Sequence, residues 1–99
     1  MEIFKTFLLA LAYHALNRKN EADETLKEFT DKHQNNLSYL LAQLHAFRGE
    51  RESAFTWLET AYNKKEGWLF WVKGDPLLKN LKSDPRYNAF LKKMNLPID

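Results

Sequence analysis

Three histidines, two close pairs of carboxylates and a run of late aromatics are the residues of this 99-residue chain that could do chemistry. His14 and His45 fall at neighbouring places in two related stretches, so they could approach one another as metal ligands. Zinc sites need three or four ligands. His33 lies near a loop on a different helix, and no further ligand follows at a workable spacing. Packed or groove-lining histidines explain the trio better, and no metal is expected. Glu21 with Glu24, and Glu50 with Glu52, could serve as acid–base pairs. Each pair falls at a predicted helix N-terminus, where negative charge stabilises the exposed N–H groups. The chain has no cysteine, hence no disulfide, thiolate nucleophile or cysteine zinc site. It also lacks a glycine-rich phosphate loop and a nucleophile elbow. These features point away from an enzyme and from any cofactor.

The elements that must carry these residues are helices arranged as a repeat. Leu9-Ala10 recurs as Leu41-Ala42, Ala22 as Ala54 and Leu26 as Leu58, each 32 residues on. Tyr13 and His45, Asn17 and Gly49, and Phe29 and Ala61 keep the same interval. Apolar spacing predicts helices over about 3–16, 21–32, 37–48 and 52–65. Asn17-Arg18-Lys19-Asn20 makes the first turn, Asn36 is the expected N-cap of the third helix, and Gly49 closes it. Ala10, Ala42 and Ala54 fall where helix backbones must approach closely, with Leu9, Leu26, Leu41 and Leu58 filling the gaps.

Asp75-Pro76 and Asp84-Pro85 each read as an N-cap followed by proline at the first helical position. They predict two short helices over 76–82 and 85–94. Trp57, Tyr62, Trp68, Phe70, Trp71, Tyr87 and Phe90 crowd this half and are expected to form a seam. In that seam Trp71, Leu77, Leu78, Leu81, Phe90 and Leu91 should bury against Trp57, Leu58 and Tyr62.

Leu41, Ala42, Gly49, Ala54, Leu58 and Ala61, with Leu9, Ala10, Tyr13, Ala22 and Leu26 in the other copy, resemble the tetratricopeptide repeat. Thr6 and Ser38 stand where that family usually has a large aromatic, and Gln34 and Glu66 where it has a closing proline. The resemblance implies an all-α, tetratricopeptide-like solenoid of helical hairpins. One domain would span 1–99, with repeats over about 3–34 and 35–66 and a degenerate third repeat or cap over 67–99. The stretch from Trp71 to Pro97 is similar to the terminating segment of tetratricopeptide regions at the C-termini of bacterial multidomain regulatory proteins. The resemblance also implies a concave groove lined by the first helix of each pair. By position it would be formed by Phe7, Leu11, His14, Tyr39, Gln43, Ala46 and Phe47. Lys and Asn, needed there to clamp a chaperone tail's carboxylate, are replaced by Phe7, Leu11 and Tyr39.

Charge adds little to the choice of partner. Residues 1–50 hold six Lys/Arg against seven Asp/Glu, and residues 51–99 nine against six. The late lysines are scattered rather than drawn into the dense basic stripe a nucleic acid would need, so none is expected as a partner. The apolar run from Phe7 to Ala12 lacks the positive flank of a secretory signal and is too short to span a membrane. It reads as part of the first helix. With no cysteine, a reducing, cytoplasmic setting is expected.

That first helix is apolar nearly all round, since only Lys5, Thr6 and His14 are clearly polar from Ile3 to Leu16. A helix of this kind is normally buried. Ile3, Phe4, Leu8 and Leu11, with Phe7 at the edge, are expected to lack a cover within the chain. Two function classes follow: a module binding a protein or peptide in its groove, or a self-association module that dimerises through this helix without a separate ligand.

Overall fold

Asn17, Gly49 and Lys65 take up the left-handed backbone conformation, with φ of 60°, 79° and 57°, and each follows the end of a helix. One pair of hydrogen bonds accompanies all three. The N–H of Asn17 donates to the carbonyl of His14 and that of Arg18 to Tyr13. Gly49 donates likewise to Ala46 and Glu50 to His45, while Lys65 donates to Tyr62 and Glu66 to Ala61. This turn satisfies the last carbonyls of a helix. Glycine adopts it freely and asparagine tolerates it, whereas Lys65 bears the steric cost of its Cβ.

The computed structural model describes residues 2–33 and 35–94, without the side chains of Glu2, Trp68, Phe70 and Trp71. The expected burial of Trp71 therefore lies outside the described side chains. The elements are α1 (Glu2–Ala15), α2 (Lys19–His33), α3 (Ser38–Phe47) and α4 (Arg51–Asn63). Two 3-10 helices, Gly67–Gly74 and Pro76–Leu81, and α5 (Pro85–Lys93) follow. All regular structure among the described residues is helical. α1 and α3 end 32 residues apart, and α2 and α4 begin 32 apart.

α1 packs along α2 and α3 along α4, and α3 also touches both helices of the first hairpin. Phe7, Ala10, Phe29, Leu40, Leu41 and Leu44 fill the space between the hairpins. On the other side of α3, Tyr39, Ala42, Ala54, Leu58 and Ala61 meet residues of the C-terminal segment in a second cluster. Ala10, Ala42 and Ala54 are buried at the helix approaches. Leu41 and Leu58 are buried with them, but Leu26 is half-buried and Leu9 is exposed, so Leu9 fills no gap.

From Leu69 to Phe90 every third residue is buried: Leu69, Val72, Asp75, Leu78, Leu81, Asp84, Tyr87 and Phe90. In the two 3-10 helices, up to Leu81, three residues make one turn, so this spacing holds one face against the hairpins. The short helix expected over 76–82 is a 3-10 helix, Pro76–Leu81. Leu77 is half-buried against the first cluster, and Leu78, Leu81, Phe90 and Leu91 join the second beside Leu58, Trp57 and Tyr62.

The two aspartates cap as their sequence implies. Asp75 accepts from the N–H of Leu77 at 2.9 Å and Asp84 from that of Arg86 at 3.0 Å. Arg86 also folds its guanidinium onto Asp84, which holds that carboxyl down to about 2. Asn36, by contrast, does not cap α3. Its own N–H donates to His33, completing α2, and α3 begins with Ser38. The free N–H groups of Ser38 and Tyr39 donate to Glu66, at 3.1 and 3.0 Å. One carboxylate from the turn that follows α4 thus caps α3, a helix earlier in the chain.

Candidate binding site

α3 presents Tyr39 and Gln43 one turn apart on one face, the spacing at which helical side chains meet a common partner. That partner is Asp75. The Tyr39 hydroxyl and the Gln43 Nε2 both donate to Asp75 Oδ2 at 2.5 Å, while Oδ1 is engaged by the backbone of Leu77. A buried carboxylate is tolerated when donors surround it in this way. Burial, and then the neighbouring Asp75 carboxylate, push the Tyr39 hydroxyl far above the usual phenol value. It therefore stays protonated and acts as a fixed donor. Gln43 Oε1 is buried and has no hydrogen-bond partner among the described residues.

Above this knot lies an open hollow of about 310 Å³. Phe4 and Phe7 of α1 form one wall, Tyr39, Leu40 and Gln43 of α3 the second, and Asp75, Pro76 and Leu77 the third. The lining is apolar apart from the ends of Tyr39, Gln43 and Asp75. A hollow at the small end of ligand pockets with few convergent polar groups suits one bulky apolar group. With three donors on it, the Asp75 carboxylate ties α3 to the start of the second 3-10 helix.

The groove residues expected from sequence do not share this hollow equally. Phe7, Tyr39 and Gln43 line it together. Leu11 is half-buried against the first cluster instead. Ala46 is fully buried, and its carbonyl accepts from Asn80 at 2.9 Å, so the chain's own second 3-10 helix lies over that end of α3. His14 and Phe47 stack edge to face 5.6 Å apart, a contact between α1 and α3 that leaves them outside the hollow. The expected association patch also divides. Phe4 and Leu8 are exposed, but Ile3 and Leu11 are half-buried on the first cluster because both fall on the side of α1 that faces α3. Leu9, Ala12, Ala15 and Leu16 are exposed and continue the patch in their place.

Leu40, Asp75, Pro76 and Leu77 line the hollow without belonging to the groove expected from sequence, and Phe4 was expected only in the association patch; of these, Asp75 is the one that bonds Tyr39 and Gln43. A tyrosine and a glutamine one turn apart on an otherwise apolar helix are two donors in need of an acceptor, and that was the available signal. His45 bonds Glu50 at 2.8 Å, and Arg48 bonds both Glu50 and, on the first hairpin, Asp23. No group of His, Asp and Glu able to hold a metal occurs among the described residues. A second hollow, bounded by His14, Asn17, Arg18, Lys19, Ala22, Asp23 and Arg48, has both arginines already paired, Arg18 to Glu21 and Arg48 to Asp23. No described helix is long and apolar enough to cross a membrane. No protein-family model, curated protein or solved structure matches this chain.

Proposed function

We propose that this chain is a tetratricopeptide-type interaction module that binds a protein or peptide partner and carries no catalysis of its own. The reading is supported by hairpins whose first helices end, whose second helices begin, and whose left-handed turns at Asn17 and Gly49 fall, 32 residues apart. The observation that carries the binding role is the apolar hollow between α1, α3 and the second 3-10 helix. Its occupant is a bulky aliphatic or aromatic side chain on a partner's helix or extended segment.

Selection from a random peptide library tests this directly. Enriched peptides should carry a large apolar residue, and Leu77→Lys, which narrows and charges the hollow, should weaken them by at least ~10-fold. Amide shifts on binding should centre on Phe7, Tyr39, Leu40 and Leu77. Peptides that bind the Leu77→Lys variant as well as the parent would sink the proposal.

A further inference from the structure

The exposed side of α1 has a buried counterpart in the same molecule. Along α1 the outward residues are Phe4, Lys5, Leu8, Leu9, Ala12, Ala15 and Leu16, all exposed. At the 32-residue interval, Leu8, Leu9 and Ala12 correspond to Leu40, Leu41 and Leu44 of α3, which lie buried under the first hairpin. The outward face of α1 is therefore built like a face that receives another helix.

A second copy cannot supply that helix head to tail. The covering surface of the first hairpin uses Phe7, Ala10 and Phe29, whose counterparts on the second hairpin are Tyr39, Ala42 and Ala61. Those three are buried beneath the C-terminal segment. Between two copies of this chain, like therefore meets like, and the α1 face is self-complementary. Phe4, Leu8, Ala12 and Leu16 follow one another at one-turn spacing. In an antiparallel pairing centred at the level of Ala10, Leu8 meets the partner's Ala12 and Phe4 meets the partner's Leu16. Large side chains oppose small ones near the axis, where the helices come closest. Lys5, the one charged residue among the described side chains of this face, lies beside the negative C-terminal end of the partner's α1.

We infer that this chain forms a two-fold dimer through α1, with Leu8 of each copy seated on the partner's Ala12. From the exposed fractions of Phe4 (43%), Leu8 (60%), Leu9 (37%) and Leu16 (66%), with Ala12 and Ala15, the face offers on the order of 500 Å² per copy. The pair buries on the order of 1,000 Å², the lower limit for a specific interface, so the dimer is weak and concentration-dependent. The isologous contact closes on itself and stops at two.

The mass of the whole chain in solution, followed from micromolar to millimolar concentration, tests this. It should rise from one copy to two and then level off. Leu8→Glu, and independently Ala12→Glu, should weaken association by at least ~10-fold with an unchanged melting temperature. Leu77→Lys, in the peptide hollow, should leave dimerisation unaltered, which separates this inference from the groove reading. Because the chain has no cysteine, Leu8→Cys and Ala12→Cys chains can be mixed under oxidation. Mixed dimers should form faster than either self-pair. A chain that stays monomeric, grows beyond two copies, or self-links faster at Leu8→Cys than in the mixture would overturn the inference.

Discussion

Leu8 and Leu40 occupy the same place in the two hairpins, as do Leu9 and Leu41, yet their surroundings are opposite. Leu40 and Leu41 are 4% and 0% exposed, whereas Leu8 and Leu9 remain open. The residue types and helical register are the same, so neither decides burial. What differs is the neighbour: α3 packs against the first hairpin on one side and the C-terminal segment on the other, whereas among the described residues α1 packs against its own α2 and the second hairpin. The comparison teaches that burial here belongs to the stack and not to the individual hairpin. A residue is core or surface according to which hairpin it sits on.

The strongest way to break the comparison is through the capping segment. Phe90→Ala, which opens a void beside Tyr62, should cost ~3–5 kcal/mol in denaturant unfolding. A loss below ~1 kcal/mol would mean that the segment does not belong to the core. Matched leucines sharpen the contrast: Leu40→Ala should cost ~2–5 kcal/mol and Leu8→Ala no more than about 0.5 in the monomer. Similar losses at both sites would refute the difference between the hairpins. Growth of small residues gives the converse test. Ala42→Leu or Ala54→Leu should lose ~1–3 kcal/mol by overpacking, while Ala15→Leu should be nearly neutral in thermal melts.

A smaller effect is expected where α4 holds the start of α3. Glu66→Ala removes the acceptor of two helix-initial N–H groups and should cost ~1 kcal/mol, with faster amide exchange at Ser38 and Tyr39. The smallest effect is electrostatic. Arg86 depresses the Asp84 carboxyl to about 2, so its contribution is complete above the unfolded value of about 3.9 and lost as pH falls through the folded one. Acid titration of stability should therefore be flatter for Asp84→Asn below about pH 4 than for the parent.

Much of the helical fold was legible because its signals are local. Gly49 and Asn17 mark left-handed turns, Asp75-Pro76 and Asp84-Pro85 mark helix starts, and alanines mark close approaches. What escaped was either of another period or non-local. Leu69, Val72, Leu78 and Leu81 repeat every three residues, a pattern invisible to a search tuned to 3.6. Glu66 reaches back to α3 and Asp75 gathers Tyr39 and Gln43, and no local rule links residues so far apart. Lys65 in a left-handed turn gave no warning either, since its side chain favours nothing of the kind. The candidate site was half legible: Phe7, Tyr39 and Gln43 were found, but their third wall comes from a segment expected only to cap.

That third wall also sets the terms for any competitor. Because Asp75, Leu77 and Asn80 are tethered to the helices they touch, the second 3-10 helix meets α3 at an effective concentration on the order of millimolar or above. A free peptide aiming for the Ala46 end of the groove must outcompete a rival joined to the same chain. At cellular concentrations the tethered rival prevails. On the proposed binding role, a partner would therefore enter beside Phe7 and Leu77, because the chain's own second 3-10 helix occupies the Ala46 end of α3.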